Sequence, residues 1–128
     1  MSARLRVLVV DDVITNRLLL RKILERENYE IVEAENGLEA INLVQAGGID
    51  IALLDIMMPN MNGIESLEAI RRNFQSKDKK DVKVIIWSNS GSEDTVQKCL
   101  AVGVVAFLKK SEYSGNDLVE KVLSLLGK

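Results

Sequence analysis

Leu5-Arg6-Val7-Leu8-Val9-Val10-Asp11-Asp12 is an apolar, β-branched run broken only by Arg6 and closed by two adjacent carboxylates. A half-exposed strand alternates apolar and polar residues, whereas this one is apolar on both faces, the pattern of a strand buried inside a parallel sheet. The scheme repeats outward along the chain. Leu19, Leu20, Ile23 and Leu24 recur at helical spacing and predict a helix over about 15–27. A short strand at Glu30–Ala34 leads to a helix through Ala40, Ile41 and Val44 that Gly47-Gly48 stops. Ile51–Leu54 is a third apolar strand running straight into Asp55, and a third helix opens near Gly63 with Ile64, Leu67 and Ile70. After a charge-mixed loop at 77–83 come a fourth strand at 84–87, a fourth helix at Glu93–Val102 ended by Gly103, and a fifth strand at 104–108. Ser114 stands three residues before Asp117, a capping-box-like start for a fifth helix through Leu118, Val122 and Leu125. Five strand–helix units predict an α/β, doubly wound (βα)5 fold, a five-stranded parallel sheet covered on both faces in three layers. No boundary interrupts the pattern, so 1–128 is expected to be a single domain.

Composition narrows the function. The chain has 128 residues, 47% apolar and 28% charged, the balance of a globular domain. Seventeen Lys and Arg against nineteen Asp and Glu leave a net charge of −2. That gives no positive excess for phosphate-backbone binding, so no nucleic-acid partner is expected. No apolar run reaches the roughly 20 residues of a membrane span, so no membrane partner is expected either. The lone Cys99 reads as a small buried residue and fits a reducing compartment. The chain has no histidine. This removes Ser-His-Asp and Cys-His catalysis and His-ligated zinc, leaving carboxylates, hydroxyls and lysines to do any chemistry.

Those groups collect at the strand ends. Strand one ends in Asp11-Asp12, strand three in Asp55, strand four in Ser88 and strand five in Lys109-Lys110. In doubly wound sheets the carboxyl ends of the strands form the ligand crevice. Any one of these aspartates alone reads best as a cap or turn residue. Three on one edge would repel one another, and a hard cation relieves that; an all-oxygen set favours Mg²⁺. A lysine and a hydroxyl beside an Mg²⁺ site point to phosphoryl chemistry.

Asp11-Asp12 after an apolar strand, Asp55-Ile-Met-Met-Pro59-Asn-Met61-Asn-Gly63, Ser88, and Phe107-Leu-Lys-Lys110 after Gly103 together resemble the receiver domain of two-component response regulators. The resemblance covers the whole chain, and the D-x-x-M-P-x-M-x-G stretch is its most specific part. It implies a flavodoxin-like sheet of order 2-1-3-4-5 and a cytoplasmic protein. Asp55 becomes the phosphoacceptor, taking a phosphoryl group from a histidine kinase or phosphotransfer protein. Asp11, Asp12, Asp55 and the backbone carbonyl of Met57 become the Mg²⁺ ligands. Lys110 and Ser88 bind the phosphoryl oxygens. Phosphorylation adds about −1.5 to −2 charges in the serine case. Ser88 moving inward makes room for Phe107 to rotate, so that the face formed by the fourth helix, fifth strand and fifth helix changes for a downstream protein target. Such a domain is no conventional enzyme, although it promotes its own phosphotransfer and autodephosphorylation. Met57, Asn89 and Ser90 are the positions expected to tune phosphoryl lifetime.

Two residues depart from the family pattern. Lys110-Ser111 replaces the usual Lys-Pro, which is often cis. A cis bond before a non-proline residue costs about 2.5–4 kcal/mol, so the expectation is either a trans bond in an altered loop or a strained cis bond. Asn89 replaces a small residue and either restricts access to Asp55 or adds a hydrogen bond to the phosphate. Asp12-Val-Ile-Thr-Asn16-Arg17 resembles the start of receivers fused to hybrid kinases, so a domain excised from one is an alternative to a stand-alone regulator. The apolar Val104-Val105-Ala106 lacks the acidic residues of a charged dimer contact, which suggests a monomer or weak dimer. A haloacid-dehalogenase-like phosphatase would need an acid where Met57 stands. A degenerate receiver that binds partners without phosphate is the remaining rival, with Asp11, Asp12, Asp55, Ser88 and Lys110 against it and Asn89 and Ser111 in its favour.

Overall fold

The computed structural model describes residues 5–55, 82–88 and 93–126. These form β1 (Arg6–Val10), α1 (Ile14–Glu25), β2 (Glu30–Ala34), α2 (Gly37–Ala46), β3 (Ile51–Leu54), β4 (Lys83–Ser88), α3 (Glu93–Val102), β5 (Ala106–Lys109) and α4 (Gly115–Leu126). The strands make one parallel sheet in the order β2-β1-β3-β4-β5, a flavodoxin-like α/β arrangement. The helix expected from Gly63 lies outside the described residues. Among those residues, no helix is long and apolar enough to cross a membrane.

Residue parity assigns each strand residue to one of two cores. Leu8, Val10, Ala52, Leu54, Val84 and Ile86 pack with Ala40 and Val44 of α2 and Cys99 of α3. Their alternates Val7, Val9, Ile51, Leu53, Ile85 and Trp87 pack with Leu20 and Leu24 of α1 and Leu118 and Val122 of α4. The central strands therefore need apolar residues at every position, which is why they read as unbroken runs. β1→α1→β2 and β2→α2→β3 cross the sheet in opposite directions. Right-handed crossovers in opposite directions put their helices on opposite faces, and α1 and α2 do lie on opposite faces.

Element ends follow local chemistry. α1 stops at Glu25, two residues short of the periodic expectation, because Asn28 adopts a left-handed φ of 63°. The Glu27 and Asn28 N–H groups then close back on the carbonyls of Leu24 and Glu25. Gly47, at φ 90°, ends α2 as expected. β5 begins at Ala106 rather than 104. Gly103 turns at φ 113° and Val104 donates back to the Cys99 carbonyl, so the helix-ending turn uses residues the apolar pattern assigned to the strand. The capping box is present in both directions: Ser114 N–H donates to Asp117 (2.8 Å) and Asp117 N–H to Ser114 Oγ (3.1 Å).

Candidate phosphoryl and metal site

Register builds the site before any side chain does. The last β1–β3 pair is Val10 with Leu54, so Asp11 and Asp55 are the next residues on adjacent strands. The ladder continues one step further. Asp55 N–H donates to the Val10 carbonyl and Asp11 N–H to that of Ala34, both at 3.1 Å. On the other side Ser88 pairs with Lys109, and Lys110 N–H donates to the Ser88 carbonyl at 3.0 Å. β1 and β3 flank the point where the strand order reverses, where doubly wound sheets open their crevice.

The side chains converge there. The Ser88 hydroxyl, fully buried, donates to Asp55 Oδ1 at 3.0 Å. Lys110 Nζ reaches Asp55 Oδ2 at 3.3 Å and Asp11 Oδ2 at 3.0 Å. Asp11 is 2% exposed and Asp55 9%. Two carboxylates that dry need a cation between them, and the ammonium provides one. Asp11 is tied further by Val13 N–H to Oδ1 (2.9 Å) and Asn16 Nδ2 to Oδ2 (3.2 Å). Asp12 is exposed at the mouth. Ligand oxygens from Asp11, Asp12 and Asp55 lie within 4.8 Å of one another. Mg²⁺ holds oxygens at about 2.0–2.1 Å, which keeps any two within roughly 4.2 Å, so a small side-chain rotation fits this set to the ion. The donors are all oxygens, as a hard cation requires.

The structure thus brings Asp11, Asp12, Asp55, Ser88 and Lys110 together as the sequence suggested. Phe107 is half-buried in β5 and packs on the α2–α3 side of the sheet. Met57, Asn89 and Ser90 lie outside the described residues. The bond before Ser111 is trans, since no described peptide bond is cis. Glu112 and Tyr113 N–H both close on the Lys109 carbonyl at 2.9 and 3.2 Å. Ser111 is the third residue of that turn, a place that proline occupies readily only in cis. Serine therefore permits an ordinary trans turn that still delivers Lys110 to the aspartates.

The sequence reading missed Glu33. This β2 carboxylate sits on the α1 side and accepts from Arg17 Nε (3.0 Å) and Arg21 Nε (2.6 Å). The available signal was an acid within a strand covered by a helix that carries two arginines. Burial alone would push the Glu33 carboxyl up, but the hydrogen bonds and charges of Arg21 and Arg17 outweigh it and hold it below the usual range. A folded-state value below the unfolded one contributes stability above the unfolded pKa of about 4.3, and this is lost as pH falls through the folded value. Glu33→Gln should therefore flatten the acid limb of a urea-midpoint profile as pH falls below about 4.3, relative to wild type.

Residues 7–123 match the response regulator receiver domain family, and the chain belongs to that family, the receivers of two-component signalling. It is 40% identical over 121 residues to the transcriptional regulatory protein ResD of Bacillus subtilis (strain 168), covering 94% of this chain and 48% of that protein. It is 35% identical over 126 residues to hybrid signal transduction histidine kinase B of Dictyostelium discoideum, covering 91% of this chain and 6% of the kinase. The crystal structure of a response regulator receiver domain protein (CheY-like) from Methanospirillum hungatei JF-1 aligns with a TM-score of 0.88 at 28% identity, covering 98% of this chain and 95% of that one. The chain spans about half the length of the first relative and a small part of the second.

Proposed function

We propose that this receiver accepts one phosphoryl group on Asp55 from the phosphohistidine of a histidine kinase or phosphotransfer protein. The observation that carries this is that Asp55 has a hydroxyl on one oxygen and an ammonium on the other, with two more carboxylates beside it. An Asp55 oxygen attacks phosphorus in line, the P–N bond to the donor imidazole breaks, and the imidazole nitrogen keeps the electron pair and takes up a proton. Asp11, Asp12 and Asp55 would hold Mg²⁺, which would supply charge neutralisation for the phosphoryl oxygens. Lys110 then leaves the carboxylates for a phosphoryl oxygen, and Ser88 turns its hydroxyl from Asp55 Oδ1 to another. Movement of Ser88 at the end of β4 relaxes the packing beside β5, so Phe107 and the α3–β5–α4 face change for a downstream protein target. A donor charged from cellular ATP puts the domain in the cytoplasm under this reading.

A second reading, a receiver within a hybrid kinase, has its own support in the match to the Dictyostelium kinase and in the Asn16-Arg17 pair. The two share the chemistry and differ in where the phosphoryl group goes next. Incubation with a small phosphodonor and Mg²⁺, read by intact mass, should add one phosphoryl group, and chelation should prevent it. Trp87 lines a cleft of about 240 Å³ together with Asn16 and Lys110, so its fluorescence should change on Mg²⁺ addition. No mass gain from either a small donor or a phosphorylated histidine partner would overturn the reading.

A further inference from the structure

We propose that Arg17 is a positioning residue for the metal-binding carboxylates, holding the Asp11–Asp12 peptide against Glu33 so that both side chains face Asp55. The inference rests on the metal site proposed above and adds to it a residue that touches neither metal nor phosphate. Arg17 is 9% exposed, a burial that a guanidinium tolerates only when its donors are used. Its fork is divided between two elements. Nε donates to Glu33 Oε1 at 3.0 Å, while Nη1 donates to the Asp11 backbone carbonyl at 2.6 Å.

The second bond is the informative one. A carbonyl oxygen and the following N–H share one rigid plane, so anchoring the Asp11 oxygen fixes the peptide that leads into Asp12. Asp12 is exposed, and its direction depends on that plane. Val13, Asn16 and Lys110 all hold the Asp11 side chain, whereas Arg17 holds the backbone. The anchor at the far end is firm. Glu33 is gripped by Arg21 as well, and Arg21 is braced on Glu25 at 3.1 Å. The strut therefore runs from β2 through Glu33 and Arg17 to the end of β1. Outer residues that orient metal ligands typically change affinity by 10–100-fold.

Arg21 supplies the control, because it shares Glu33 and the same helix but donates to Glu33, Glu25 and the Ile31 carbonyl rather than to Asp11. Mg²⁺ affinity is measured by calorimetry, and folding stability by urea, for wild type, Arg17→Met, Arg17→Lys and Arg21→Met. Arg17→Met should bind Mg²⁺ about tenfold more weakly. Arg17→Lys, whose single ammonium cannot span both acceptors, should fall between the two. Arg21→Met leaves Arg17 on both Glu33 and the Asp11 carbonyl, so it should lose stability yet weaken Mg²⁺ binding clearly less than Arg17→Met does. Should Arg17→Met fail to fold, Arg17→Lys against Arg21→Met makes the same comparison. Wild-type affinity in a folded Arg17 variant, or equal weakening in Arg17 and Arg21 variants, would overturn the positioning role alone. A wild-type protein that binds no Mg²⁺ would instead overturn the metal site beneath it.

Discussion

Asp55→Asn should abolish phosphoryl gain completely while leaving the folded protein intact. The amide keeps an Oδ1 to accept from Ser88 and has nearly the same volume, so the 3.0 Å bond at the end of β4 survives. What is lost is the carboxylate that the proposed function makes the nucleophile, and the acceptor for Lys110 on the second oxygen. Lys110 retains Asp11 at 3.0 Å and is not left as an unpaired buried cation. Removing one of two closely spaced, nearly dry carboxylates also relieves repulsion, so the change in stability should stay within about 1 kcal/mol. Intact mass with and without Mg²⁺, alongside a urea transition, checks both halves. Residual phosphoryl gain at full occupancy would mean that another residue is the acceptor.

Asp11 should divide into two effects according to the substitution. Asp11→Ala strands the Val13 N–H, the Asn16 amide and one contact of the Lys110 ammonium at a position 2% exposed. Losing a buried, charged acceptor of this kind should destabilise the fold by about 2–4 kcal/mol. Asp11→Asn keeps an oxygen for Val13 N–H, and with it the turn from β1 into α1, so its loss should be about half as large. Under the proposed metal role both variants remove a charged ligand and should weaken Mg²⁺ binding on the order of 100-fold, since ligand charge sets cation affinity. Urea midpoints and calorimetric titration separate the two. Equal destabilisation by Ala and Asn would show that charge, rather than the turn, is what Asp11 contributes to folding.

Much of this was readable in one dimension because burial imposes a period. β1, β3 and β4 are covered on both faces, and their apolar runs announce it, while Leu20 and Leu24 mark the covered side of α1. Boundaries failed where a turn took a residue that looks like strand, as at Val104, whose N–H closes back on α3 after Gly103. Glu33 escaped notice for a different reason. An acid in a short strand reads as solvated until the helix above it is known to carry Arg17 and Arg21 on the facing side.

From the residues alone came the five strand–helix units, the strand-end carboxylates, the absence of histidine and the receiver resemblance. These are properties of local pattern and composition. The strand order came with that resemblance, and tertiary structure decided the register and the side-chain contacts. It set Asp11 beside Asp55 across β1 and β3, carried Lys110 to an aspartate 99 residues earlier, and joined Arg17 to both Glu33 and the Asp11 backbone. Register and these contacts depend on the simultaneous packing of two cores. No window of sequence contains that information, because the contacts that select it form only when the whole sheet is closed.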